Sequence, residues 1–525
     1  RSAGDATTGH YNAFLGAYAG KTNTSSSESV YVGYRAGYTN DANYNVFIGS
    51  NAGSYATGVG SSVFIGRQAA GAAAATGDDN VGIGYRSMYD LTTGVENVAV
   101  GHFSLPNVTS GSYNVAMGRN AMNSAAGSHR NTALGYGAMH TFNEAGNVKN
   151  VAVGMYAMTV SQSGSFNTAV GYEALRGQTG NTPTGNTALG YQALRGVDVA
   201  SSTASFNNIA IGMRALYSAS GADNNVAIGF AAMSGASDST GDSNVAIGSY
   251  AGQDITSSQE NAIVGMWAGS SLTAGNYNAF FGYDAGSRIT TSTKNVSMGH
   301  GALAGTATQG TTSDNNVSIG FRSMYLASGA NYNVAVGDGA LSGTTAMQGD
   351  NNVAVGRQAM VNATSASNNV AVGYLAMKDT TTATANTAVG YYAATGTTVG
   401  QNNTTVGVQA LQENTDGDDN TAIGHMALYN TNAGDGVGDN VGVGSTAGWT
   451  NSTGVQNVFV GYRAGYGNTT ASQGVMIGRE AGFTNTTGAQ NVFIGSRSGY
   501  YNTIGNYNVA LGHQALNANV HGDEN

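Results

Sequence analysis

The sequence predicts an all-β protein, a parallel β-solenoid or β-roll, and three observations predict it. A glycine returns 29 times along the 525 residues, from Gly16, Gly33 and Gly49 to Gly512, and 19 of the 28 intervals are 17 residues. A fixed period over the whole chain sets the architecture before composition does. Each of these glycines closes a short alternating segment rich in β-branched residues, such as Asn150-Val-Ala-Val-Gly154, which is strand chemistry. The stretches between are rich in Thr, Ser, Gly, Asn and Asp, which is turn chemistry, and all variation in repeat length falls there. The longest interval, Gly190 to Gly212, places an insertion at about Val197 to Ala204.

Each slot of the repeat has a physical expectation. Asn stands four residues before the glycine in 26 of the 29 repeats. In coils stacked about 4.8 Å apart, such side chains can form an amide hydrogen-bond ladder. The residue directly before the glycine is always apolar and is expected to fill the interior. The glycine supplies a positive φ or a close backbone approach at a corner. Ala, or in four repeats Ser, stands three residues after it, where a larger side chain would meet another backbone. Asn150, Gly154 and Ala157, then Asn167, Gly171 and Ala174, then Asn186, Gly190 and Ala193 show the unit three times in succession. The segment around this Ala is expected to form a second short strand. The residue after the Ala is Gly in three blocks (Gly20 to Gly53, Gly252 to Gly286, Gly448 to Gly499) and mostly Leu or Met between them. This predicts narrow and wider packing zones within one continuous repeat domain, residues 1–525, with no separate catalytic domain. Methionines at repeat spacing, such as Met88 and Met377, are core rather than metal ligands.

Composition excludes several classes. Charged residues are only 9%, too few for a coiled coil or a charged disordered tail, and 2 Pro exclude collagen. A net charge of −10 with 19 Lys and Arg excludes a basic stripe for nucleic acid. There is no cysteine, so no disulfide framework. No apolar run approaches the ~18 residues of a membrane span, so this segment is not expected to insert in a membrane. A coil of 17 residues encloses a thin core against about 1.5 kcal/mol of ordering cost per residue. Winding three chains around one axis solves that problem, which predicts a homotrimer. Twenty-nine coils would extend roughly 140 Å. Asn525 falls in the Asn slot of a further repeat, as expected if the sequence is a fragment of a longer chain.

Units such as Asn167-Thr-Ala-Val-Gly-Tyr-Glu-Ala-Leu175 and Asn186-Thr-Ala-Leu-Gly-Tyr-Gln-Ala-Leu194 resemble repeats of bacteriophage long tail fibres. The same core is similar to the head repeats of trimeric autotransporter adhesins, whose repeat is usually shorter. The resemblance covers all the repeats. It implies a trimeric fibre shaft on a virion that meets a host-surface glycan or protein receptor and joins baseplate or tail proteins. A bacterial cell-surface adhesin is the alternative, and a glycan depolymerase fibre the second.

Chemistry-bearing residues follow the repeat. His102, His300, His425 and His513 occupy the slot directly after the glycine, shared with Tyr34, Tyr172, Tyr191 and Tyr391. A slot that accepts such different side chains is a surface position, and histidines so far apart do not form one catalytic centre. Ten of the 15 Arg occupy the two positions after the glycine, where they solvate the surface or meet an anionic sugar. Carboxylates gather just before the Asn slot, as at Asp223, Asp242, Asp314 and Asp350. The densest patch, Glu413, Asp416, Asp418, Asp419, Asp435 and Asp439, is the one place where a structural cation is conceivable, with Asp416, Asp418 and Asp419 as its ligands. Nothing singles out a paired acid and base, so no enzyme and no cofactor are expected. Flanking aromatics such as Tyr466, Phe483 and Tyr500 are expected to stack between coils. The Asn-x-Ser/Thr triplets at Asn107, Asn362, Asn451 and Asn468 are chance matches in an Asn- and Thr-rich chain.

Overall fold

The computed structural model describes residues 7–142, 144–159, 164–177, 183–196, 205–235, 240–305, 312–343, 345–432, 434 and 437–525. The insertion expected at Val197 to Ala204 and the acidic residue Asp435 lie outside the described residues. The chain forms two compact units, Arg1–Asn261 and Ala262–Asn525. No helix occurs among the described residues. Together the units contain about 27 turns of a parallel β-solenoid with a repeat of about 17 residues.

In the first unit, three-residue strands run from Ala13–Leu15 to Val245–Ile247. Within the unit, successive strands pair in parallel, like residue on like: Val30 on Val46, Tyr31 on Phe47 and Val32 on Ile48. A short extra pair, Ser128–His129 with Gly146–Asn147, joins two connectors. The second unit repeats the ladder from Ala262–Val264 to Val509–Leu511. There Val353, Ala354 and Val355 stand on Val370, Ala371 and Val372.

The Asn side chains form a buried ladder. Asn114 Nδ2 donates to Asn97 Oδ1 at 3.0 Å and to the Ser128 carbonyl at 2.7 Å. Asn114 Oδ1 accepts the Asn131 backbone N–H at 3.0 Å and Asn131 Nδ2 at 3.2 Å. The same Nδ2 to Oδ1 bond links Asn167 to Asn150 and Asn186 to Asn167, each at 3.2 Å. Every amide atom is thereby spent inside the stack, as buried polar groups require. At the corner, Gly101 has φ 135°, and a Cβ there would stand 2.7 Å from the Gly118 carbonyl oxygen. Both the backbone angle and the next coil therefore demand glycine.

Two expectations are corrected. The residue before the corner glycine does not fill the interior: Met117, Leu189 and Met298 are 43%, 45% and 46% exposed. The reason is parity. Asn must face inward to join its ladder, and the two-residue period of a strand then turns the second residue before the glycine inward and the last one out. It is this inner slot that carries the buried Tyr31, Phe47, Phe64, Ala99 and Ala116. The segment after the corner is also not a second strand but a turn. Its second and fourth residues have left-handed φ, as at Arg35 (55°) and Gly37 (56°), or Arg86 (51°) and Met88 (49°). Coils still bond there, Arg35 N–H to the Ala17 carbonyl at 3.0 Å and Gly37 N–H to the Ala52 carbonyl at 2.9 Å. The alternating peptide orientation satisfies the backbone without extending it.

The connectors are stacked turns. Thr364, Thr381 and Thr398 each place Oγ1 on the carbonyl of the Thr one coil later, at 2.8, 3.1 and 3.0 Å. The zones foreseen from the Gly or Leu/Met slot prove to be one core volume filled from two sides. In most coils where that turn slot is Gly, a large side chain enters from the inner slot, the exceptions being Ala246 with Gly252 and Gly442 with Gly448. A Cβ on Gly37 would lie 2.7 Å from the Tyr31 ring, and one on Gly286 would lie 2.8 Å from the Phe280 ring.

Candidate functional site: the outer faces of the coils

Three outer faces carry the side chains with chemistry. The strand face presents the first and third strand residues. No charged residue occupies either slot in any repeat, and the third is apolar throughout. Leu189, Ile247, Phe281, Met298 and Ile423 along it are each more than a third exposed. The result in each unit is an uncharged strip two columns wide, one rung per coil. Its third-residue column is apolar throughout, and its first-residue column is Val, Ile or Ala except for Thr132, Thr168, Thr187, Thr387, Thr404 and Thr421.

The connector edge of that face holds the carboxylates, and they serve the backbone. Asp78, Asp223, Asp242, Asp314, Asp350, Asp418 and Asp523 share one slot. Each accepts the N–H of the equivalent residue one coil earlier, as Asp418 Oδ1 does from Gln401 at 2.7 Å and Asp242 Oδ1 from Asp223 at 2.8 Å. Ser112 and Asn506 fill the same role elsewhere, so the slot selects an acceptor rather than a charge. Burial pushes the Asp223 carboxyl above its ordinary value against the Phe206 N–H, and Asp242 adds to the rise. Of the proposed cation ligands, Asp416 takes the Thr415 hydroxyl at 3.2 Å and Asp418 is bound as above. Asp419 donates its N–H to the Gln401 carbonyl at 3.0 Å. No group of three His, Cys, Asp or Glu positioned for a metal occurs among the described residues.

The turn face beyond the corner holds the Arg, Tyr and His. An Arg two residues after the glycine lays its guanidinium on the Tyr three residues further on. Arg35 lies 4.6 Å from the Tyr38 ring, Arg86 4.7 Å from Tyr89, Arg322 5.3 Å from Tyr325 and Arg497 5.6 Å from Tyr500. The recurring Arg-x-x-Tyr was readable in the sequence but its meaning needed the left-handed turn between. His102 packs beside Tyr85 at 5.2 Å and His300 stacks on Tyr283 at 4.9 Å, in separate coils. His425 and His513 are exposed. Glu173 is nearly buried and gathers Arg176, Arg195 (3.3 Å) and Gln192 (2.9 Å). Burial raises its pKa, but the Gln192 bond and the two guanidinium groups outweigh it and hold the carboxyl below the ordinary range.

The expected aromatic stacking occurs. Trp449, Tyr466, Phe483 and Tyr500 form a column with centroids 5.1, 5.1 and 5.0 Å apart and planes within 16°. Ring faces in this column are occupied by their neighbours. Sequence reasoning missed a second Asn ladder, seven residues after the corner. Asn468 Nδ2 bonds Asn451 Oδ1 at 2.6 Å, and Asn485, Asn502 and Asn519 continue it. The Asn-x-Ser/Thr triplets at Asn451 and Asn468, like the one at Asn485, are thus ladder rungs, each Asn fully buried. The signal was the repeated Asn-x-x-Gly or, at Asn468, Asn-x-x-Ala in those connectors, which closes each turn by a bond such as Asn451 Nδ2 to the Gly454 carbonyl at 2.9 Å.

One groove on the turn face differs from the rest. In the first unit it is lined by Tyr18, Lys21, Tyr34, Arg35 and Tyr38. Two cations and three aromatic rings meet there without a carboxylate. Comparison of the chain with protein-family models, with curated proteins and with solved structures yields no match.

Proposed function

We propose that this chain is the shaft of a homotrimeric fibre that carries a virion to its host surface. The largely apolar strip along the strand face is the observation that carries the reading. From a strand spacing of ~4.8 Å and a width of ~10 Å for two columns, each unit exposes roughly 700 Å² of largely apolar strip. That exceeds the patches usual on monomers and approaches the ~800 Å² per partner of a stable interface. Only a surface with the same axial period matches such a strip rung by rung, and a second copy of the chain has it. Three copies around one axis close the strips into a shared core and leave the connectors in water. The thin core of a single coil favours the same arrangement.

Native mass spectrometry together with light scattering tests the proposal. The expected species is a trimer, which the paired changes Val353→Glu and Val355→Glu convert towards monomers with an unchanged β-rich circular dichroism spectrum. A wild-type chain that stays monomeric at micromolar concentration would overturn it.

A further inference from the structure

We propose that the groove of Tyr18, Lys21, Tyr34, Arg35 and Tyr38 binds an anionic sugar, a pyranose bearing a carboxylate or sulfate group. The inference deepens the adhesive half of the proposed function by placing ligand recognition on the shaft itself. Lys21 Nζ sits 4.8 Å from the Tyr18 ring and Arg35 Cζ 4.6 Å from the Tyr38 ring. The aromatic rings hold both cations in place while leaving their hydrogen-bond donors to a ligand. In a chain of net charge −10, the groove still brings two cations together. The acid in the adjacent connector, Asp41, is already spent on the Thr24 N–H and hydroxyl.

The second cation and the uncovered Tyr38 slot separate this groove from the matching Tyr462, Arg463 and Tyr466, where Tyr462 is 45% exposed but Trp449 stands in the place of Lys21. Tyr34 is 48% exposed. Its slot is filled by Ala17 in the coil before and Ser50 in the coil after, so no ring of that slot stacks on it from either side. Tyr18 meets it edge-on at 5.9 Å, making a corner rather than a stack. Tyr466 and Phe483, by contrast, are covered on both faces. A sugar ring can therefore lie on Tyr34 with its acidic group towards Arg35 and Lys21. The guanidinium suits a planar carboxylate or a sulfate edge, and the aromatic face suits the C–H side of a pyranose.

Calorimetry or glycan-array binding with the intact chain decides the matter, using sialyllactose, a sulfated lactose, neutral lactose and inorganic sulfate as probes. One or both acidic sugars are expected to bind at least tenfold more tightly than lactose, and inorganic sulfate alone not to compete at equal concentration. Comparing the two acidic sugars identifies which group the groove takes. Arg35→Ala and Tyr34→Ala should each weaken binding at least tenfold, whereas Arg463→Ala, beside the covered column, should not. Equal binding of lactose, or acidic binding unchanged in both groove variants, overturns the inference. Oligomeric state is measured on the same samples. A trimer that ignores acidic sugars removes the groove and spares the fibre, and a monomer that binds them does the reverse.

Discussion

Two stretches of the first unit share one backbone and fill it from opposite sides. Between Val30 and Ala69 the inner strand slot supplies Tyr31, Phe47 and Phe64, stacked at 5.1 and 5.0 Å, and the turn slot shrinks to Gly37 and Gly53. Between Val98 and Ala138 the strand supplies only Ala99, Ala116 and Ala133, and the turn supplies Leu105 and Met122. All of these are fully buried. The turn residues keep the same left-handed φ, 56° and 57° at the glycines against 51° and 48° at Leu105 and Met122. Glycine in the first stretch is therefore a matter of volume more than of backbone angle. The two slots behave as one cavity with two doors.

The comparison can be broken most severely at the corner, which both stretches share. Gly49→Ala and Gly101→Ala should each cost more than about 4 kcal/mol locally, because the added Cβ meets a backbone carbonyl at 2.6 and 2.7 Å in a positive-φ position. Hydrogen exchange should show equal loss of protection in the coils on either side. Unequal losses would mean that the core type sets corner tolerance.

Gly53→Leu separates the stretches. Its side chain collides with the Phe47 ring, where a Cβ alone would lie 2.7 Å away, and overpacking should cost about 3 kcal/mol. Adding Phe47→Ala should recover roughly 2 kcal/mol of that, a coupling read from a double-mutant cycle by exchange or denaturant. Simple additivity would show that the two slots do not share a cavity.

A smaller effect distinguishes the doubly laddered coils. Asn468→Ala removes the bonds to Asn451 and to the Ala471 carbonyl and should cost about 2 kcal/mol, seen as faster exchange across residues 451–485. The smallest effect belongs to the Leu-type coil around Glu173. Its carboxyl is held below the ordinary 4.5, so its contribution is complete above that value and is lost as pH falls through the lower folded value. Glu173→Gln should lower stability by roughly 1 kcal/mol at pH 7 and leave no difference from wild type near pH 2. A gap that persists in acid would assign the effect to packing.

The period, the strands, the corner glycine and the first Asn ladder were legible because each depends on one residue type at one spacing. What was misread depended on parity and on partners. The apolar residue at the strand end looks like core in any hydropathy reading, yet the Asn ladder fixes which residues face inward and leaves Leu189 and Met298 in solvent. The Asp cluster reads as one group in the sequence, yet Asp418 caps the Gln401 N–H one coil away, a contact that no local spacing reveals, while Asp416 takes the hydroxyl of its neighbour Thr415. The Tyr34 groove depends on the small Ala17 and Ser50 at flanking rungs, so it emerges only when the repeats are laid on one another.

A last consequence comes from the coil at Gly442 and Gly448, where inner slot and turn slot are both empty. A Cβ on Gly448 would meet Phe459 of the next coil at 2.5 Å and Leu428 of the preceding one at 2.7 Å. Side chains from both core types lean into this coil, so it adapts one to the other. For a gene that lengthens by duplicating coils, such an adaptor is a splice point. Blocks of different core type meet at it, and Ala246 with Gly252 is a second coil small at both slots, here between a Met-type repeat and a Gly-type one.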